Sequence, residues 1–255
     1  MRIYVCVKHV PDTAANIKIV GDAAYDTEVK YVANPYDEYG VEEAVSLVEK
    51  NKKGEVIAVC VGDKGAANTL KAVMAMGVHR SILIKTEDQF PGSDITAKAL
   101  CKAITDDGGA DLIFMGKQSV DGEGMQTPYR LAAEMGLPVA TGIVAFSHGG
   151  ETVNVQREID GGAKELITIK TPCVLGAAKG LNEPRFPKLP AILKAKKKEI
   201  KEMDLADMGL TDQGQCRLKS LEPVQERSNA KILEGSTREI VASLVQILKE
   251  EEKVI

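Results

Sequence analysis

Four short apolar runs constrain this chain more than any other feature: "IYVCV" (3–7), "VIAVCV" (56–61), "SILI" (81–84) and "DLIFM" (111–115). Each is continuously apolar and rich in β-branched residues, not alternating, which is the pattern of a parallel strand covered on both faces. The stretches between them carry helical signals. In "NPYDEYGVEEAVSLVEKNKKG", Val41, Ala44, Val45 and Val48 recur at helical spacing, with acids at the start, lysines at the end and Gly54 as a stop. "AANTLKAVMAMG" places Leu70, Val73 and Met74 on one face, and "SDITAKALCKAITDDGG" runs from Ser93 or Asp94 into glycines. Thr127 as N-cap and Pro128 at the first helical position open a helix that Gly136 closes. Strands alternating with helices predict right-handed crossovers and an α/β fold built on a mostly parallel sheet.

The texture changes after about residue 140. "TVNVQREIDGGAKELITIK" predicts a β-hairpin turning at "DGG", followed by an apolar run at Cys173–Leu175. Pro184, Pro187 and Pro190 predict an exposed, ordered loop, and residues 200–235 an extended arm. "STREIVASLVQILKEEEKVI" carries a capping box, Ser236 with Glu239, and an apolar stripe at Ile240, Leu244 and Leu248. That stripe needs a surface, either a partner subunit or the chain's own domain. The domain expectation is 1–200 for the α/β body and 201–255 for a C-terminal arm and helix.

Composition bounds the function. A net charge of −4 argues against a dedicated nucleic-acid binder. Five widely spaced cysteines (Cys6, Cys60, Cys101, Cys173, Cys216) without CxxC suggest buried thiols in a reducing compartment. No run has the length of a signal peptide or membrane span, so the expectation is a cytoplasmic protein without membrane insertion.

Chemistry concentrates at the carboxyl ends of the strands, where open parallel sheets bind ligands. Three segments converge there: "CVKHVPD", "ANPYDE" and "GKQSVDGEGMQT" (116–127). Gly116, Gly122 and Gly124 let backbone amides approach a ligand, and the helix opening at 128 offers unpaired N–H groups and a positive dipole end to phosphate. Thr127 adds a hydroxyl and Lys117 a charge; Asp121 and Glu123 could accept from ribose hydroxyls or face solvent. A glycine-rich surface turn explains the same loop without any ligand. A metal site finds no EF-hand pattern or histidine cluster, and neither GxGxxG nor GxxxxGK[ST] is present. No catalytic residue is expected: there is no GxSxG, and His9, His79 and His148 are far apart, with His9 left open at a strand end. "KAKKK" (194–198) is read as a solvated charge run.

"NPYDEYGVEEAV" (34–45), "GKQSVDGEGMQT" (116–127), "VQREIDGG" (155–162) and "LNEPRFPKLPAILKAKKK" (181–198) together resemble the β subunit of electron-transfer flavoproteins, over nearly the whole chain. The resemblance implies a non-enzymatic electron-carrier subunit with a Rossmann-like domain, paired as a heterodimer with an α subunit that carries the redox-active FAD. It places adenine-nucleotide contacts at Cys6, Asn34, Pro35, Tyr36, Asp37, Val61, Gly116, Lys117, Gln118, Ser119, Val120, Asp121, Gly122, Glu123, Gly124, Met125, Gln126 and Thr127. Ordinary members resemble a pattern with structural AMP, while electron-bifurcating members bind a second FAD there. "VKHVPDT" and "GSD" (92–94) look like the bifurcating branch. Ile95 and Lys98 depart from its "GSDTLATS", and Thr127 and "LNEPR" look like the AMP branch, which is favoured. The loop 181–198 resembles the one that docks flavin dehydrogenases such as acyl-CoA dehydrogenases, with Leu189 as anchor beside Pro190, Ala191, Ile192 and Leu193. Electrons would pass onward to a quinone oxidoreductase or other acceptor. A stand-alone ATP-using α/β enzyme is the alternative of another class.

Overall fold

The computed structural model describes residues 1–210, 218–224 and 230–255. Cys216 and part of the expected arm lie outside them. Two compact units appear, Met1–Leu221 and Glu222–Ile255.

The first unit begins with β1 (Arg2–Cys6), then the short strands β2 (His9–Pro11), β3 (Ile19–Val20), β4 (Ala24–Tyr25) and β5 (Tyr31–Ala33). Helix α1 (Pro35–Asn51), β6 (Glu55–Gly62), α2 (Ala66–Ala75), β7 (Arg80–Lys85), α3 (Ser93–Asp106), β8 (Leu112–Gly116) and α4 (Thr127–Met135) follow in strict alternation. β9 (Val139–His148), β10 (Thr152–Glu158), β11 (Lys164–Lys170) and β12 (Cys173–Ala177) precede α5 (Leu189–Lys196) and β13 (Ile200–Asp204). Among the described residues nine strands form one sheet, ordered β11-β10-β9-β12-β8-β1-β6-β7-β13. The run from β9 to β13 is parallel, and β10 and β11 extend it as the expected antiparallel hairpin.

The central strands β1, β6, β7, β8 and β12 are buried on both faces because they are apolar on both faces. Ile3, Val5, Val56, Ala58 and Phe114 pack against Val41, Ala44, Val45, Leu70 and Val73 of α1 and α2. Tyr4, Cys6, Ile57, Val59, Ile113 and Met115 pack against Ala97, Leu100 and Ile104 of α3 and Leu131 of α4. From β1 the chain winds outward through β6 and β7, then crosses to β8 on the other side of β1. The strand order therefore reverses between β1 and β8, the position where such sheets open a crevice.

Three expectations are corrected. Residues 189–196 form a helix, not a loop: Pro190 sits in the first turn, where a missing N–H costs no hydrogen bond. Ile200–Asp204, assigned to the arm, pairs in parallel with β7 as an edge strand. Thr127 is the first residue of α4, not its cap, and no side chain caps that end.

In the second unit, α6 (Thr237–Gln246) starts at the expected capping box: Glu239 Oε2 accepts from Ser236 N–H at 2.8 Å and from Ser236 Oγ at 2.6 Å. A π-helical turn continues over Ile247–Glu251. Val241, Leu244 and Val245 are exposed. No described helix is long and apolar enough to cross a membrane.

Candidate functional site

At the switch point lies a cleft of about 270 Å³, lined from both sides of the break in strand order. Its floor is apolar, with Cys6, Val59, Val61, Leu100 and Met115; its rim is polar, with Lys8, Asn34, Ser93, Thr96, Gln118, Ser119, Gln126 and Thr127.

Two side chains at the start of α1 build the rim. Asn34 caps that helix by position but makes no capping bond to it. Its amide is turned to the loop after β8 instead: Nδ2 donates to the Gln118 carbonyl at 2.9 Å, and Oδ1 accepts the Val120 N–H at 3.1 Å. Asn34 is buried, so both bonds are made out of water, where leaving them unmade is expensive. Asp37, also buried, accepts the Lys8 N–H and the Gly116 N–H, each at 2.7 Å. Asp37 thus ties the ends of β1 and β8 to α1. Burial pushes its carboxyl up to about 7, although the Lys8 amide, Asn34 and the Gly116 amide favour the charged form.

The loop itself turns through two left-handed non-glycine residues, Glu123 (φ 48°) and Met125 (φ 53°), on either side of Gly124. Such residues cost roughly 1 kcal/mol each. A Cβ on Gly116 would stand 2.6 Å from Asp37 Oδ1 and 2.6 Å from Tyr36 Cβ, so this glycine serves the internal packing, not ligand approach as expected from sequence. A Cβ on Gly124 would meet no protein atom within 4 Å. The loop then feeds α4, whose first amides have no intrahelical partner. Gln126 Oε1 accepts from Arg130 at 2.9 and 3.0 Å and from Ser93 Oγ at 3.1 Å, joining the starts of α3 and α4 across the cleft.

Of the residues expected to contact nucleotide, the cleft brings together Cys6, Asn34, Asp37, Val61, Gly116, Gln118, Ser119, Gly122, Gly124, Met125, Gln126 and Thr127. Pro35, Tyr36, Lys117, Val120, Asp121 and Glu123 stand outside its lining; Lys117 Nζ lies over the Tyr36 ring at 5.5 Å. Lys8 and Thr96 line the cleft without having been named as contacts, since a lysine after a strand and a hydroxyl in a helix read as surface; Ser93, noted only within "GSD" (92–94), lines it too. Burial raises the pKa of the Cys6 thiol, leaving it an inert wall and not a nucleophile. His9 is not on the wall: its Nδ1 is 2.7 Å from Thr69 Oγ1, its ring stacks on Tyr31 at 4.3 Å, and burial lowers its pKa. Among the described residues no group of three His, Cys, Asp or Glu is placed to hold a metal ion.

A second surface involves 181–198. Arg185 forks onto Glu42, Nε to Oε2 at 2.8 Å and Nη2 to Oε1 at 2.9 Å, and onto Glu49 at 2.7 and 2.9 Å. Asn182 Nδ2 donates to the Tyr39 carbonyl at 3.0 Å and to Glu43 at 2.9 Å. These bonds fasten the segment along α1 and leave Phe186 (96 % exposed), Leu189 (68 %) and Leu193 (53 %) in solvent. The sequence reading placed the anchor at Leu189 and did not name Phe186, which lies between Pro184 and Pro187. Of the "KAKKK" run, Lys198 instead binds the Val78 and His79 carbonyls at 2.8 and 3.2 Å.

Comparison with known proteins is consistent across the length of the chain. A family model described as the electron transfer flavoprotein domain matches residues 23–208. The electron transfer flavoprotein subunit beta of Bacillus subtilis is 34 % identical over 259 residues, covering 100 % of both chains. That of Bradyrhizobium diazoefficiens is 35 % identical over 258 residues, again 100 % of both, and that of Homo sapiens 35 % over 253 residues, 97 % of this chain and 98 % of the human one.

Proposed function

The chain belongs to the electron transfer flavoprotein family, as a beta subunit, and from that premise we propose that its cleft holds an adenine nucleotide structurally, beside an alpha subunit that carries the redox-active FAD. The observation that carries this reading is the cleft's place and make-up: an apolar floor at the strand-order reversal, bordered by the 116–127 loop where it runs into the uncapped start of α4. The floor of Cys6, Val59, Val61, Leu100 and Met115 suits a planar base. Ser119, Thr127 and the uncapped first turn of α4 suit ribose and phosphate. The space that the absent Cβ of Gly124 leaves is the close approach such a ligand needs.

AMP is the nucleotide this cleft favours. Its volume of about 270 Å³ lies just below the usual range of ligand pockets, which favours a mononucleotide over a dinucleotide. The bifurcating alternative, a second FAD, draws on Ser93 and Thr96, whose residues line the cleft. Against it, Ile95 is packed in the core and Lys98 is exposed, at the two positions where that pattern carries threonines. Against a stand-alone ATP-using enzyme, the one carboxyl among the described residues of the lining, Asp37, is engaged by two backbone amides.

In this role the chain performs no redox step. It binds the nucleotide, packs on the alpha subunit and positions a donor. The exposed face of α6, with Val241, Leu244 and Val245, supplies apolar surface for the C-terminal arm to pack on that subunit. Phe186, Leu189 and Leu193, held out by the Arg185 fork, form the surface that docks flavin dehydrogenases such as acyl-CoA dehydrogenases, with Pro190, Ala191 and Ile192 beside them. Exposed lysines of α5 steer an acidic partner. A quinone oxidoreductase or other acceptor receives the electrons afterwards. Extraction and identification of the nucleotides in the purified complex tests the reading.

A further inference from the structure

Among the described residues lining the cleft, Lys8 is the one cation, and the family-derived contact set leaves it out. Its main chain is fixed: the Lys8 N–H donates to Asp37 Oδ2 at 2.7 Å. Its ammonium crosses to the loop after β8, where Nζ lies 2.8 and 2.7 Å from the carboxylate oxygens of Asp121 and 3.5 Å from Ser119 Oγ. Asp121 is not part of the lining, so of this pair the lysine is the charge that the cleft presents.

The charged groups that Lys8 itself touches are acidic. Asp37 is buried on the cleft wall, and Asp121 stands behind the lysine. Without Lys8, the described lining would present an entering phosphate with the Asp37 carboxyl and no cation. With Lys8 present, Asp121 is neutralised, and an ammonium has three donors, so it can keep the aspartate and still reach a ligand oxygen. The pair is half in water, with Lys8 at 47 % and Asp121 at 24 % side-chain exposure, so its own contribution to fold stability is small. Its worth lies in the field it sets.

We propose that Lys8 is a further binding residue of the cleft, the group that supplies positive charge to the phosphate of an anionic nucleotide where the described lining otherwise presents only the Asp37 carboxyl. This rests on the nucleotide reading above. It separates from a mere pinning role by ligand charge, because a pinned loop serves AMP and adenosine alike, whereas charge compensation serves only AMP.

The test is titration of the nucleotide-depleted heterodimer with AMP and with adenosine, for the unaltered chain and for Lys8→Met, Lys8→Arg and Asp121→Asn. The expected result is that Lys8→Met weakens AMP by about tenfold and adenosine by less than about twofold. Lys8→Arg keeps AMP affinity within about threefold, since the charge remains, and Asp121→Asn leaves AMP bound no more weakly. Equal loss for both ligands in Lys8→Met, or no loss for either, overturns the proposal while leaving the nucleotide reading intact. If the unaltered complex takes up neither ligand, the nucleotide reading fails first and this inference with it.

Discussion

The carboxyl of Asp37 accepts the backbone N–H of Gly116 at 2.7 Å, tying the first turn of α1 to the end of β8 inside the buried rim of the cleft. Burial raises this carboxyl from 3.8 to about 7, so between those values the folded chain holds a proton that the unfolded chain has released. Stability from this group is therefore full below the ordinary carboxylate range, declines as pH rises toward about 7, and is level above it. Urea unfolding across that range should show the advantage of the unaltered chain over Asp37→Asn shrinking with rising pH. A difference that grows with pH contradicts the assignment.

Gly116 and Gly124 should respond oppositely to the same substitution. Gly116→Ala drives a Cβ into Asp37 and Tyr36 at 2.6 Å, and the strain should lower unfolding stability by roughly 1–3 kcal/mol. Gly124→Ala meets no protein atom, so stability should hold while nucleotide affinity falls. Thermal unfolding with and without added AMP separates the two.

Arg185 holds the docking segment on α1. Burial raises the pKa of Glu42, but the hydrogen bonds from Arg185 and Ser46 outweigh it and hold the carboxyl below its usual range. Arg185→Ala leaves that buried carboxylate without its fork and should cost roughly 2 kcal/mol at neutral pH. The pair contributes above the ordinary carboxylate range and is lost as pH falls through the lowered value, so the variant and the unaltered chain should converge in acid. A constant gap across pH would assign the loss to packing instead.

Leu189→Ala and Phe186→Ala test docking. Both side chains are exposed, so fold and nucleotide content should not change. The kcat/KM for reduction of the complex by its dehydrogenase should fall about tenfold for Leu189→Ala. Unaltered partner kinetics in both variants would remove this surface from the docking role.

The parallel sheet was legible because doubly covered strands must be continuously apolar: β1, β6, β7 and β8 each announce themselves. β13, "IKEMD", did not, because an edge strand keeps polar residues on its open side, and its pairing with β7 is a tertiary fact. α5 was hidden by prolines that mark loops as readily as first helical turns. For the site, the glycine-rich loop was visible but its supports were not. Asn34 reads as a helix cap and acts on residues 118 and 120; Lys8 reads as a strand-end charge and reaches Asp121 across more than a hundred residues of sequence. No local pattern encodes either bond.

The most direct measurement is the nucleotide inventory of the purified heterodimer, by denaturation, extraction and chromatographic identification against total protein. One AMP beside a single FAD is the predicted result, with the AMP lost in Gly124→Ala. Two FAD per heterodimer would contradict AMP as the occupant, and no adenylate beyond the alpha subunit's flavin would contradict the cleft as a nucleotide site.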